Sequence, residues 1–260
     1  MSAELSSATC KATSSLKYDA WRNFIASFKK FYFIQKTEVF AEPARRPIEI
    51  GCYESFFRSL REHIEKHYKS GAAANAWEIS GVGYDEMRNS AILSWLLDCR
   101  ESHGQGNVFL KGLLDWLVTN NDVSQQARYF LPKSEEVEGT TYWTRVESLP
   151  FGEIESRVDI EIGGPFVLFI EVKVNAQETG DQLKRYLKIA EQKAGSKKWG
   201  VLYLTKHGIP PSDSSLDGVI FKISWKQLAT VVEKVIAKQV APGTFIEQQL
   251  RHLCLHFKSI

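Results

Sequence analysis

Apolar side chains along this chain recur first at helical and then at strand spacing. In residues 18 to 34 (YDAWRNFIASFKKFYFI), Trp21, Phe24, Ile25, Phe28 and Phe31 fall on one face of a helix. After the connector EPARRP at 42 to 47, a second helical stretch is predicted near 52 to 69. From residue 81 a glycine-bearing lead-in, GVG, opens an amphipathic helix, DEMRNSAILSWLLDC, with Met87, Ala91, Ile92, Trp95 and Leu96 on its apolar side. SHGQGN ends it, and VFLKGLLDWLV reads as another helix. Strands are predicted near 141 to 149, 156 to 162 and 166 to 174, then a helix near 179 to 193. Strands at 199 to 205 and 218 to 224 follow, and helices near 225 to 238 and 243 to 258 come last.

One strand breaks the apolar pattern. Alternation in VLFIEVKV sends Val167, Phe169, Glu171 and Lys173 to one face and Leu168, Ile170, Val172 and Val174 to the other. A strand apolar on both faces belongs in the centre of an α/β sheet, where a charged pair at its end is costly without a compensating partner. The preceding strand offers one. There Val158, Ile160 and Ile162 share one face, and Arg157, Asp159 and Glu161 the other.

Matching faces selects the register of that hairpin. A two-residue Gly163-Gly164 turn would set Asp159 opposite Leu168, about 10 Å from Glu171. A longer loop through GGPFV, centred on Pro165, pairs Ile160 with Ile170, Val158 with Val172 and Asp159 with Glu171. The second register brings two carboxylates and Lys173 together. Neighbouring carboxylates repel unless a cation lies between them, and oxygen donors suit Mg²⁺ or Mn²⁺ better than zinc. A lysine beside such a cation can orient the water that attacks a phosphodiester. The bland alternative, an exposed ion pair worth ~1 kcal/mol or less, is poorly matched to the apolar flanks.

Composition narrows the setting. The chain has 260 residues, 43% hydrophobic and 25% charged, with 33 basic and 31 acidic side chains for a net charge of +2. With a pI near 8.2, any nucleic-acid surface must be a local patch. Cys10, Cys52, Cys99 and Cys254 are far apart and form no C-x-x-C pair, which argues against zinc knuckles and disulfide scaffolds. The histidine pairs His63/His67 and His252/His256 have helical spacing but no evident third ligand. MSAELSSATCKATSS lacks the apolar core of a signal peptide, and no apolar run approaches the ~20 residues of a membrane span. The expectation is a cytoplasmic protein without membrane association.

Asp159 followed by Glu171-Val172-Lys173 resembles the signature of the PD-(D/E)XK nuclease superfamily. YDEMRNSAILSWLLDCRESHGQGNVFLKGLL resembles the opening helix of a bacterial subgroup, DQLKRY its helix motif, and VLYLTKHGIPPS with ISWKQL its fourth strand and closing segment. The resemblance covers residues 81–235, and Val158 stands where the superfamily's name has proline, a position that varies widely. It implies a restriction-endonuclease-like αβββαβ core, a central mixed sheet flanked by helices, at 81–260, while residues 1–80, which it does not cover, are read from their helical spacing as a helical N-terminal extension. It further implies a Mg²⁺- or Mn²⁺-dependent nuclease, acting on DNA in preference to RNA, with bacterial defence as an associated role. Asp159, Glu171, the Val172 carbonyl and Glu86 would hold the metal, Lys173 would position or activate the water, and Gln182 would orient the lysine or a phosphate. Arg88, Arg157, Lys184, Arg185 and Tyr186 are the nucleic-acid contacts expected. Many such nucleases act as symmetric dimers, so a homodimer is compatible with this reading. The competing reading is an inactive module of the same fold that binds nucleic acid or a protein.

Overall fold

The structure, a computed structural model, describes residues 50–71, 73–152, 157–175 and 181–260. The helix expected at 18 to 34 and the connector after it lie outside the described residues. The chain divides into two compact units, Met1–Glu62 and His63–Ile260. The described part of the first, residues 50–62, lies within helix α1 (Ile50–Lys69). The rest of the description concerns the second unit.

Its centre is a five-stranded sheet in the order β1 (Trp143–Ser148), β2 (Val158–Gly163), β3 (Phe166–Val172), β4 (Lys198–Thr205) and β5 (Phe221–Ser224). The first three strands run antiparallel to their neighbours, while β3, β4 and β5 are parallel, so the sheet is mixed. The chain passes from β3 to β4 through helix α7 (Gln182–Ala194), the crossover that a parallel pair requires. Before the sheet come α2 (Ala76–Ile79), α3 (Glu86–Leu97), α4 (Val108–Asn120), α5 (Gln125–Phe130) and α6 (Ser134–Val137); after it come α8 (Trp225–Gln239) and α9 (Phe245–Ser259).

Two apolar layers enclose the sheet. Ile160, Ile162, Leu168, Ile170 and Val172 pack with side chains of α3, α4, α8 and α9. On the opposite face Val167, Phe169, Val201 and Tyr203 meet Leu183, Tyr186, Ala190 and Ala194, which recur at helical spacing along α7. Every residue of β3 is buried, as expected of a central strand. The hairpin register is the one parity selects, with Ile160 opposite Ile170, and pairing continues to Gly163 opposite Val167. The turn is therefore tighter than the five residues expected.

Three differences from the sequence reading have local causes. Met87 is 61% exposed, and α3 instead buries Asn89, Ser90, Leu93, Ser94, Leu96 and Leu97. Polar groups can occupy that face because they are bonded there: Ser94 Oγ lies 2.7 Å from Thr144 Oγ1, and the Asn89 amide donates to the Gly83 and Asp85 carbonyls. Strand β5 begins at Phe221 because the Asp213 carboxylate caps the 3-10 turn Ser214–Leu216, and the Val219 and Ile220 amides both turn back to the Leu216 carbonyl. Val158 packs on the α7 side rather than with Ile160 and Ile162. Alternation fails where the β1–β2 pairing skips Glu147, which takes a left-handed φ of 46° between Val146 opposite Ile160 and Ser148 opposite Val158.

The last pair of the β1–β2 ladder sets Trp143 over Gly163, and a Cβ placed on that glycine would lie 2.4 Å from the indole. The ring fills the space the missing side chain leaves. Gly163→Ala is expected to destabilise the protein by about 1–3 kcal/mol in urea unfolding, and Trp143→Leu in the same chain should recover part of the loss.

Candidate active site

The C-terminal end of β3 is where the elements converge. Beyond the Ile160–Ile170 pair, the Asp159 carboxylate accepts the Val172 amide at 2.8 Å. That bond ties the acid of β2 to the backbone between Glu171 and Lys173. The Lys173 amide continues the ladder to the Leu204 carbonyl at 2.8 Å, and its own carbonyl accepts the Trp225 indole N–H at 3.2 Å. With its backbone fixed on two sides, the Lys173 side chain lies 13% exposed, Nζ 2.6 Å from Glu171 Oε1.

Glu86 reaches the same region from the start of α3, which is capped by Asp85 accepting the Arg88 amide at 3.0 Å. Its Oε1 accepts the Val174 amide at 2.8 Å and the Asn175 amide at 3.3 Å, so the helix start is docked on the strand end just past Lys173. Asn89 supports this placement. It is fully buried, holds the Gly83 and Asp85 carbonyls, and lies 2.8 Å from His256 Nε2 of α9. Gln182 and Tyr186 approach from α7, one turn apart, with Gln182 Nε2 donating to the Tyr186 hydroxyl at 2.9 Å. The hydroxyl gives its proton to the Arg157 carbonyl at 2.5 Å. Tyr186 is wholly buried, so its phenol braces the start of β2 from inside the protein.

The electrostatics centre on Glu171. It is 1% exposed; the Lys173 ammonium lies 2.6 Å from Oε1 and the Tyr186 phenol also favours its charged form, but neither oxygen has a well-aligned donor. Burial, then the nearby Asp159 charge, pushes the Glu171 carboxyl up to about 7 against the pull of Lys173. Burial alone would lower the Lys173 ammonium, but the charges of Glu171, Asp159 and Glu86 raise it, so the lysine stays protonated at neutral pH. Burial and the Glu171 charge likewise raise the Tyr186 phenol.

A family model of the PD-(D/E)XK nuclease superfamily matches residues 74–255. The chain belongs to that superfamily. No curated protein and no solved structure matches it. PD-(D/E)XK proteins are generally nucleases, and the five-stranded mixed sheet flanked by helices is consistent with their restriction-endonuclease-like fold. They typically use divalent metals. The donors here fit such a cation in one respect: two carboxylates come together, one with buried, unsatisfied oxygens that a positive charge would neutralise. Asp159, Glu171 and the Val172 carbonyl are the atoms that would hold it. Among the described residues, however, no three His, Cys, Asp or Glu side chains form a group that could hold a metal ion. Glu86 is engaged instead with the amides of Val174 and Asn175.

The basic residues expected on nucleic acid have partners of their own. Arg88 lies 3.5 Å from Asp85, Arg157 3.2 Å from Glu147, and Lys184 pairs with Asp181 and Asp213. Arg185 is exposed on α7. These pairs are largely solvated and cost little to exchange for a phosphate. Sequence reasoning missed Asn89, whose signal was a polar side chain within the helix that Glu86 opens. It also missed Thr205, which lines a cleft of about 520 Å³ beside Lys173 together with Lys206, the first residue of the loop KHGIPPSDSSLDG that the sequence offers as a groove-reading element.

In metal-free protein the Glu171 carboxyl is expected to titrate near pH 7 by ¹³C NMR, protonated at pH 5.5 and ionised at pH 8.5. Lys173→Met removes the opposing positive charge and should move the midpoint higher; a midpoint near the ordinary 4.5 would contradict the buried site.

Proposed function

We propose that this protein is a divalent-metal-dependent nuclease that hydrolyses phosphodiester bonds of DNA. The observation that carries the reading is the buried, unsatisfied Glu171 carboxylate, next to Asp159 and sharing a face with Lys173. Membership of a nuclease superfamily supports nucleic acid as the substrate, and DNA in preference to RNA is our reading of it. Mg²⁺ or Mn²⁺, when bound, would supply Lewis-acid polarisation of the scissile phosphate and lower the pKa of water. The protein's own groups do the rest. Asp159 and Glu171 present oxygens from adjacent strands whose register is fixed by apolar pairing. Lys173, held charged, acts as a hydrogen-bond donor that orients the attacking water and offsets charge developing on the phosphate. A raised ammonium pKa makes it a poor general base, which narrows the role expected of it. Gln182 and Tyr186 keep the start of β2 in place through the Arg157 carbonyl.

A second reading, a binding module without catalysis, is favoured by one observation: Glu86 bonds backbone amides and leaves two acids rather than three. Incubating plasmid, single-stranded DNA and RNA with Mg²⁺, Mn²⁺ or EDTA separates the two. Nuclease action predicts cleavage of DNA that EDTA abolishes and that Asp159→Asn, Glu171→Gln and Lys173→Met each lower by about a hundredfold or more. Metal-independent binding without cleavage, unchanged in these variants, would establish the second reading.

A further inference from the structure

The cleft beside Lys173 holds groups that the hydrolytic step does not use. From Lys173 it runs past Asn175 and Thr205 to Lys206, His207 and Ile209, at the C-terminal ends of β3 and β4. Its far wall is a short loop fixed by its own backbone. The Ile209 amide donates to Thr205 Oγ1 at 3.2 Å, and Gly208, at φ 67°, sits so close to α8 that a Cβ there would lie 3.1 Å from both the Ser224 amide nitrogen and Gln227 Oε1. Lys206 and His207 are thus carried on a shaped edge.

At the edge of the cleft, next to Lys206 and outside the residues that line it, stands Tyr84, two residues before Glu86. Lys206 Nζ lies 5.1 Å from the centre of the Tyr84 ring, and the Tyr84 hydroxyl donates to the Ser259 carbonyl at 3.3 Å. The ring is held at both ends yet remains 52% exposed. An exposed aromatic ring with a lysine beside it is the equipment for stacking a base while neutralising its backbone. Inside a duplex both faces of a base are covered by its neighbours, so away from a duplex end such a ring can engage only a base whose strand is unpaired and unstacked on one side.

We propose that this cleft binds the segment of substrate adjoining the scissile phosphate as a single strand, with Lys206 and His207 holding a neighbouring phosphate and Tyr84 stacking on a base. The nuclease reading enters only in placing the scissile phosphate at Lys173; the binding itself needs no metal.

Fluorescence anisotropy in EDTA, with one labelled oligonucleotide offered as a single strand and as a duplex, tests this directly. Lys206→Gln is expected to weaken single-strand binding and to reduce the slope of log affinity against log salt by about 0.7, one phosphate contact on a single strand. Tyr84→Ala should weaken single-strand binding at least about fivefold without changing the slope or duplex binding, while Tyr84→Phe, which loses only the hydroxyl, should bind like the parent. Thermal melting of each variant identifies any loss that comes from unfolding. Equal affinity for duplex and single strand, or parental binding by both Lys206→Gln and Tyr84→Ala, would overturn the proposal. If the parent cleaves DNA with Mg²⁺ while those variants bind normally, the cleft proposal fails and the nuclease reading stands. If the variants lose single-strand binding while no metal supports cleavage, the nuclease reading fails and the cleft proposal stands.

Discussion

A carboxylate at the next-to-last position of a strand buried on both faces is the constraint around which this fold is arranged. Ionising Glu171 in that position is opposed by desolvation and by Asp159, and is favoured by the neighbouring ammonium and, less strongly, by the Tyr186 phenol. The helices on both sides of the sheet create the problem, because they remove the water that would otherwise solvate the acid. They also make the acid useful. An oxygen pair without donors, in a low-dielectric setting, has a stronger attraction for a cation than the same pair on the surface.

The backbone around Glu171 is correspondingly over-determined. Asp159 grips the amide that follows it, β4 and Trp225 hold Lys173, and Glu86 takes the next two amides. Four separate elements, β2, β4, α8 and α3, thereby fix a few residues of one strand. Such a site relies on rigidity in its support and leaves variation to the loops around it.

The part of this arrangement that was legible in the sequence was the part governed by parity. Alternation of Val, Ile and Phe with acids in β2 and β3 dictated which residues face each other, and the pairing of Ile160 with Ile170 follows from it. The central place of β3 was equally readable, since neither of its faces is polar along most of its length. What escaped were features set by partners distant in the chain. Asn89 and Ser94 look like surface residues until their distant partners, His256 and Thr144, are known, so the buried face of α3 was assigned to Met87 and its neighbours instead. The exception at Val158 had the same origin, a left-handed residue on a different strand. Tyr84 and Lys206 meet across 122 positions, 206 less 84, and no local pattern announces them.

The bond between Asn89 and His256 joins residues 167 positions apart. During synthesis, Glu86, Asp159, Glu171 and Lys173 all leave the ribosome well before α9 can dock behind α3. The helix start that carries Glu86 gains its last support after the other acids have already been delivered, so the C-terminal end of β3 acquires its full surroundings late. A nascent chain thus lacks the finished arrangement until that closing helix has emerged.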